Sequence, residues 1–221
     1  SDGRAYIADV VLRKGRHSVK KNVAYVPQVR SEDAAIRNIA EGFARRAATI
    51  SFVERGARMD MILDKIAQIM GYGIIRIDGS KYKTVESLFG GMEILEEIDI
   101  AQRIEYAAQL GLITRYMVEE GFSEYGPQDI VIDIRNIHSI PPGVRASLFT
   151  LLQDRVWEIE DTYGRKKRYV LPDNVKLHFT MPAGYQGEFE SALYNRVEKV
   201  FVEQLDYAPE LPEMVNYETE F

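Results

Sequence analysis

Residues 48–70 read ATISFVERGARMDMILDKIAQIM, and this stretch decides the fold. Its first six residues, Ala48–Val53, are mostly apolar and predict a short buried strand. The segment Glu54–Ala57 that follows predicts a turn. Apolar residues then recur at helical spacing up to Gly71, which predicts an amphipathic helix that a glycine ends. The stretch is therefore a strand, a short loop and a helix, the repeating unit of α/β proteins.

The same pattern continues along the chain, because predicted strands alternate with predicted helices. Most strands are apolar runs rather than alternating patterns, which is typical of a parallel sheet covered on both faces. The four further strands are Ile74–Asp78, Asp129–Ile134, Asn174–Thr180 and Val197–Val202. Helices are predicted from Ser31, from Arg58 to Met70, from Thr84 to Gly90, over Asp99–Glu119, from Pro142 to Gln153 and over Glu188–Tyr194. A hairpin is predicted over residues 156–171, so we expect one α/β domain around a five-stranded parallel sheet.

The composition is that of an ordinary globular protein. The chain has 221 residues, of which 46% are hydrophobic and 28% are charged, and this excludes disorder as a description of the whole. Lys and Arg number 28 against 34 Asp and Glu, and the net charge of −6 argues against a generally basic nucleic-acid binder. Cysteine is absent, which excludes disulfides, a thiol nucleophile and Cys-ligated zinc. No apolar run approaches the ~20 residues that span a bilayer, so we expect a soluble cytoplasmic protein without a membrane contact.

Histidines and basic segments are the other candidates for binding. The three histidines, His17, His138 and His178, are far apart and lack Cys or Glu at ligand spacing, so no metal site is predicted. The basic segment Arg13–Lys21 predicts either a solvated arm or an anion or partner contact. The tip of the predicted hairpin is either solvated or a contact for an acidic partner or nucleic acid, since aromatic residues lie beside its basic ones. These basic residues are Arg165, Lys166, Lys167 and Arg168.

The loop after the first strand has the length and position of a phosphate-binding P-loop, G-x-x-x-x-G-K-[ST]. In that motif backbone N–H groups and the Lys bind phosphates, and the hydroxyl binds Mg²⁺. The corresponding octet here is Val53, Glu54, Arg55, Gly56, Ala57, Arg58, Met59 and Asp60. Met59 takes the Lys position and Asp60 the Ser/Thr position, and non-glycine residues replace the first and last glycines. All four specified motif residues are therefore replaced, although the octet keeps one central glycine, Gly56.

Further segments resemble one family when they are taken together with this loop. Ile50–Met92 and Gly126–Val202 resemble the AAA+ ATPases, specifically their MoxR-like and dynein-related branch. The segments that carry the resemblance are Ile74–Asp78 with Thr84–Gly91, the Walker B-like strand Gly126–Asp133, the helix Ile140–Asp154, the hairpin around Gly164, and Pro182–Gly187 with Ser191–Val197. The last pair is similar to the segment that runs from the sensor strand to the arginine finger.

The resemblance implies the architecture. We expect a P-loop NTPase-like three-layer sandwich with a five-stranded parallel sheet, its first strand central, and an inserted β-hairpin. Residues 1–30 would be an N-terminal arm, 31–206 the AAA+ domain and 207–221 an irregular tail. The family's helical lid would follow Glu203, but the sequence continues there for only 18 residues with two prolines, so we expect the lid to be absent or truncated.

The resemblance also implies an active site whose residues are replaced. The Walker B pair Asp-Glu, which orders Mg²⁺ and activates water, is Asp133-Ile134 here, and the sensor-1 Asn position corresponds to Met181. Phosphoryl transfer depends on positioning and charge stabilisation, and those groups are missing, so we expect neither catalysis nor an ATP or Mg²⁺ cofactor. The alternative is that Asp60 holds Mg²⁺ while Arg55 or Arg58 reaches a phosphate. The degenerate site would comprise residues 54–60 with Asp133 and Met181.

The leading hypothesis is a catalytically inactive AAA+-like domain that serves as a structural or regulatory subunit of a larger assembly. The alternatives are a noncanonical ATP-binding or ATPase protein of the MoxR-like type, and a nucleic-acid-binding scaffold that uses the basic hairpin. Expected partners are protein subunits, in a homo- or hetero-oligomer. Arg196 matches the arginine finger and would face the Glu54–Asp60 edge of a neighbouring subunit, where it could pair with Asp60. Otherwise it is a surface residue paired with Glu198 or Glu203.

Overall fold

The described part of the chain covers most of the predicted domain. The computed structural model describes residues 4–7, 10–13, 15, 30–94, 106–110, 122–123, 126–127, 129–160, 165–188 and 190–202. The predicted tail 207–221 and the turn Tyr163-Gly164 lie outside the described residues. Within these ranges, no helix is long and apolar enough to cross a membrane.

Six helices and thirteen strands follow one another in the described ranges. The helices are α1 (Arg30–Ala44), α2 (Met59–Met70), α3 (Val85–Phe89), α4 (Pro142–Arg145), α5 (Leu148–Asp154) and α6 (Ser191–Tyr194). The strands up to the middle of the chain are β1 (Arg4–Ile7), β2 (Val10–Arg13), β3 (Ala48–Val53), β4 (Gly73–Asp78), β5 (Gly90–Ile94) and β6 (Tyr106–Leu110). The later strands are β7 (Phe122–Ser123), β8 (Gly126–Pro127), β9 (Ile130–Arg135), β10 (Val156–Glu160), β11 (Lys166–Val170), β12 (Val175–Pro182) and β13 (Val197–Val202). Short 3-10 helices lie at Gly79–Lys81, Ile137–Ser139 and Ala183–Glu188.

The main sheet is five-stranded and parallel, as the sequence predicts. Its order is β13-β3-β12-β9-β4, and every neighbouring pair is parallel. The expectation that the first strand, β3, is central is wrong. The centre is β12, because β13 alone lies on the outer side of β3 while β12, β9 and β4 lie on the other side.

Buried side chains cover both faces of this sheet, which makes three layers. One face packs against α1, α2 and the β1–β2 hairpin, through residues such as Ile39, Ile66 and Val131. The other face packs against α3, α5, α6 and the β10–β11 hairpin, through residues such as Phe179 and Leu148. This burial on two faces explains why the strands are apolar runs.

Helix ends follow the signals in the sequence. Helix α2 ends at Gly71, whose backbone has a φ of 67°, the left-handed conformation that glycine adopts without strain. The Thr84 hydroxyl accepts a hydrogen bond from the backbone N–H of Ser87 at 3.1 Å, so Thr84 caps α3 as predicted. The helix predicted from Pro142 to Gln153 is instead two helices. The Ser147 hydroxyl donates to the Val144 carbonyl at 2.5 Å, a local bond that competes with the helical ladder between α4 and α5.

The long helix predicted over Asp99–Glu119 is wrong where the structure describes it. Residues 106–110 form β6, which pairs antiparallel with β5. The rest of the predicted helix lies outside the described residues. A short apolar run does not distinguish a strand from a helix by periodicity, and here the cross-strand pairing decides.

The N-terminal segment holds a hairpin that the sequence analysis does not predict. Strands β1 and β2 pair antiparallel. Ile7 and Leu12 are buried in the cluster that contains α1 and α2, whereas Tyr6 and Val11 lie exposed on the opposite face. The Gly15 backbone N–H donates to the Met70 carbonyl at 2.6 Å. The described beginning of the predicted arm is therefore packed against the domain, while residues 16–21 lie outside the described part.

Candidate functional site

The predicted loop and the Walker B-like aspartate meet at one edge of the sheet. Parallel strands end at the same edge, and ligands of open α/β folds bind there. The loop after β3, the first turn of α2 and the ends of β9 and β12 form this edge. Glu54, Arg55 and Gly56 are exposed in the loop, and Asp60 is exposed on α2.

The loop itself is a tight turn. The backbone N–H of Ala57 donates to the Glu54 carbonyl at 3.1 Å, and the N–H of Glu54 donates to the Val202 carbonyl at 2.9 Å. Gly56 has a φ of 91°, which a side chain would strain. A phosphate cradle needs backbone N–H groups aimed at the ligand. Two amides of this loop are engaged in backbone hydrogen bonds instead.

Arg58 and Met59 face the protein. The Arg58 Nε donates to Glu32 Oε1 at 2.9 Å and its Nη2 to Glu32 Oε2 at 2.6 Å. Glu32 lies in the first turn of α1 and is only 1% exposed, so Arg58 joins α1 to the start of α2. Met59, at the Lys position of the motif, is 4% exposed and lies in the apolar cluster under these helices.

A guanidinium lies between the two acids of the predicted site. The Arg135 Nη2 donates to Asp60 Oδ1, and its Nε donates to Asp133 Oδ2 at 3.0 Å. The Thr180 hydroxyl donates to the other oxygen of Asp133, Oδ1, at 2.9 Å. Asp133 is 1% exposed, and both of its carboxylate oxygens therefore have partners.

A second arginine borders this group. The Arg76 Nη2 donates to Asp64 Oδ1 at 2.5 Å and to the Asp60 carbonyl at 3.1 Å, so β4 is tied to α2. Its Nε lies 4.0 Å from Asp133 Oδ2. We use the name carboxylate–arginine network for Asp60, Asp64, Asp133, Arg76 and Arg135.

Asp78, at the end of β4, is a further acid at this edge. Its Oδ1 accepts hydrogen bonds from the Asn136 side-chain amide at 3.2 Å and from the Ser80 backbone N–H at 3.1 Å. These bonds favour the charged form, and they lower the pKa of Asp78 below its ordinary value. In the described ranges no three His, Asp or Glu side chains are grouped so that they could hold a metal ion.

A buried polar row lies beside the network on the same face of the sheet. His178 on β12 is opposite Asp133 on one side and Thr49 on the other. The Thr49 hydroxyl and His178 Nδ1 are 2.7 Å apart. Burial lowers the pKa of His178 to about 4, while the charge of Asp133 acts in the opposite direction. Within the described residues, His178 Nε2 and Ser51 Oγ have no hydrogen-bond partner.

Two predicted site residues lie apart from this edge network. Met181, at the predicted sensor-1 position, is buried in the core on the opposite face of the sheet. Arg196 donates to Gln153 Oε1 at 3.0 and 2.9 Å and to the Ala192 carbonyl at 2.6 Å, and its guanidinium lies 3.7 Å from the Phe149 ring centroid. Arg196 is thus held within the chain. Glu198, one of its two predicted partners, pairs with Arg45 instead.

Two aromatic residues of the basic hairpin, Trp157 and Tyr169, pack against each other. The Trp157 ring stacks on the Tyr169 ring at 5.5 Å, and its other neighbour is the Phe89 ring at 6.4 Å. Arg165, Lys166 and Arg168 are exposed, and the side chain of Lys167 lies outside the described part. Trp157 is buried and cannot stack on a base, whereas Tyr169 is half-buried, so its ring, stacked on Trp157, offers a base only part of its surface.

Comparison with solved structures gives the fold but not a family. Two structures of NtrX from Brucella abortus match with a TM-score of 0.51 each. One shares 15% identity over 80% of this chain, and the other, in complex with ATP, shares 16% identity over 81% of it. The fold is P-loop NTPase-like. At this identity the likeness shows the fold alone, and the chain spans only 36–37% of the NtrX chains. No family model matches the chain, and no curated protein matches it.

The residues at this edge do not fit a magnesium nucleotide. The motif positions that would bind phosphate and metal hold a buried Met59, a turn closed by its own amides, and an Asp60 paired with Arg135. Arg58 and Asp133 are likewise engaged within the chain. We therefore derive no step of phosphoryl transfer at this edge.

Sequence reasoning missed Arg135, Thr180 and Glu32. A signal for Arg135 was present, because it lies two residues after Asp133 and must share its face of β9. Thr180 lies opposite Arg135 on β12, and its position required the strand order. Glu32 gave no signal, because a buried acid near the start of a helix looks like a favourable charge for the helix dipole.

Proposed function

We propose that this chain is a nucleotide-independent AAA+-like domain of the MoxR-like or dynein-related type, and that it serves as a structural or regulatory subunit of a larger assembly. The observation that carries the proposal is the ion pair between Arg135 and Asp60, which occupies the motif position of the metal-binding hydroxyl. The proposed partners are protein subunits.

The charges of Asp60 and Arg135 argue against nucleotide binding at this loop. A phosphate beside Asp60 would face a like charge, and two unit charges ~4 Å apart interact by about 4 kcal/mol at an effective dielectric constant of ~20. Arg135 already neutralises Asp60, so it could serve a phosphate only by giving up that pair.

Arg58 is also costly to recruit. Its partner Glu32 is buried, and breaking a buried ion pair by removing one partner destabilises a protein by about 3–5 kcal/mol. The one arginine of the loop that burial does not constrain in this way is Arg55, which is exposed. A single exposed arginine on a turn is a weak substitute for a P-loop.

The first prediction is that Mg-ATP does not stabilise the protein. A ligand at 100 times its dissociation constant adds about 2.7 kcal/mol to the free energy of unfolding, which corresponds to a rise of roughly 5–10 °C in Tm for a chain of this size. We expect no such rise in a thermal unfolding scan with millimolar Mg-ATP.

Isothermal titration calorimetry measures the affinity for ATP directly and could contradict the proposal. Micromolar affinity of the purified chain for ATP would overturn the proposal. The double variant Met59→Lys, Asp60→Thr restores the two lost motif side chains, but we expect no ATP turnover from it. Ile134 still occupies the position of the water-activating Glu, and Arg135 loses its partner on α2.

A further inference from the structure

The carboxylate–arginine network joins three elements at one point. Asp60 belongs to the first turn of α2, Asp133 to β9, and Thr180, which donates to Asp133, to β12. The Arg135 guanidinium is the cation that bridges the two carboxylates. A guanidinium is planar and stays charged at any physiological pH, and its fork of donors suits two carboxylates at once.

The charge balance shows why a cation belongs at this point. The network contains three acids, Asp60, Asp64 and Asp133, and two cations, Arg76 and Arg135. Arg76 is bound to Asp64 and only borders Asp133, from 4.0 Å. Without Arg135, Asp60 and the buried Asp133 would repel each other, and the remaining neighbouring cation would be Arg76, at 4.0 Å from Asp133. Burial makes that arrangement costly, since a buried charge needs a partner.

Oxygen ligands of this kind are also those that Mg²⁺ and Mn²⁺ prefer. Two carboxylates, completed by water, can bind a hard divalent cation. The two groups that flank the guanidinium here are the Asp60 and Asp133 carboxylates. In the folded chain, Arg135 already fills the space between the carboxylates.

We infer that Arg135 is a resident cation that takes the place of a bound divalent metal and holds α2, β9 and β12 in one arrangement without any ligand. The inference deepens the proposed function and rests on it, since it names what replaces the nucleotide-bound metal at the edge. It means that the contacts between these three elements at the edge do not depend on a bound nucleotide. It also means that the Asp60 and Asp133 carboxylates should bind a divalent metal once the guanidinium is removed.

The test is to remove the guanidinium and offer a metal. In the variant Arg135→Ala, Mn²⁺ at millimolar concentration should raise Tm by about 5 °C or more, and electron paramagnetic resonance should detect one bound Mn²⁺ per chain. The wild-type protein should show neither effect. The matched control is Arg37→Ala, which removes an exposed arginine that pairs with Glu41 along α1, and it should also stay indifferent to Mn²⁺.

A double variant locates the metal. Adding Asp60→Asn to Arg135→Ala removes one of the two carboxylates, and the Mn²⁺-dependent rise in Tm should disappear. If Arg135→Ala does not fold alone, its refolding yield is measured with and without Mn²⁺. A yield that depends on Mn²⁺ supports the inference, and a yield that does not depend on it overturns the inference.

Two further outcomes overturn it. One is a folded Arg135→Ala variant that is indifferent to Mn²⁺, and the other is a wild-type protein that binds Mn²⁺ through Asp60. Both leave the first prediction, on ATP, untouched. Conversely, ATP binding by the wild-type chain would end the proposed function without changing the Mn²⁺ result for Arg135→Ala.

Discussion

His178 is a titratable residue that the sheet keeps uncharged. It is fully buried on β12, its Nδ1 lies 2.7 Å from the Thr49 hydroxyl, and burial lowers its pKa to about 4. An unfolded chain would protonate the same side chain near its ordinary pKa of 6.5. Between pH 6.5 and about 4, the unfolded state is protonated at this side chain and the folded state is not. The free energy of unfolding therefore falls as the pH falls through this range.

We predict that the free energy of unfolding decreases at acidic pH because of His178. One pKa unit is worth 1.36 kcal/mol, so lowering the pH from 7 to about 5 should remove roughly 2 kcal/mol through His178 alone. Urea unfolding at several pH values measures this slope. The variant His178→Asn keeps a polar group beside Thr49 but does not titrate, and its stability should change less over the same range. Equal slopes for the two proteins would show that other groups carry the acid sensitivity.

The residues of the site could be predicted only in part. Spacing placed Met59, Asp60 and Asp133 at one edge, because the length of the loop and the end of a parallel strand fix those positions. The partners of these residues depend on how α2 lies against the sheet. Arg135 and Asp60 are 75 positions apart, so the local pattern of the sequence carries no information on their contact.

At the scale of elements, apolar patterns predicted the strands of the main sheet and missed the short hairpins β1–β2 and β5–β6. Strands of the main sheet such as β3 and β13 have the predicted bounds, because in an α/β fold a continuous apolar run is buried in the sheet between two layers of other elements. The short hairpins β1–β2 and β5–β6 have only a few residues each. Their pairing depends on contacts between two strands, which the pattern within one short strand does not contain.

The β1–β2 hairpin supports a prediction of its own. Leu12 is 3% exposed under α1 and α2, while its neighbour Val11 is 50% exposed on the other face. Leu12→Ala should cost about 2–5 kcal/mol of stability, as truncations of buried leucines do. Val11→Ala is the matched control and should change stability by less than about 0.5 kcal/mol. Urea unfolding compares the two, and equal small losses would mean that the hairpin does not contribute to the core.

At the scale of the whole molecule, opposite flanks of the domain carry the proposed contact. The Glu54–Asp60 loop lies at the carboxyl edge of the sheet, and Arg196 lies between α6 and β13. The proposed assembly joins these flanks head to tail, a heterologous contact that closes into a ring or continues as a filament. Both sides have partners within the chain, since Arg196 binds Gln153 and Asp60 binds Arg135. Contact between subunits would therefore extend these pairs rather than neutralise bare charges.

The last prediction follows from that geometry. Arg196→Glu places a negative charge where the neighbouring loop carries Glu54 and Asp60, and like charges across an interface weaken it. We expect subunit affinity to fall at least tenfold, about 1.4 kcal/mol, in light scattering or sedimentation, while circular dichroism shows an intact fold. Arg37→Glu changes the net charge equally on an exposed face of α1 and should leave assembly unchanged. A wild-type chain that stays monomeric at high concentration and binds no other protein would contradict the proposed assembly. Unchanged assembly of Arg196→Glu would remove only Arg196 from the contact.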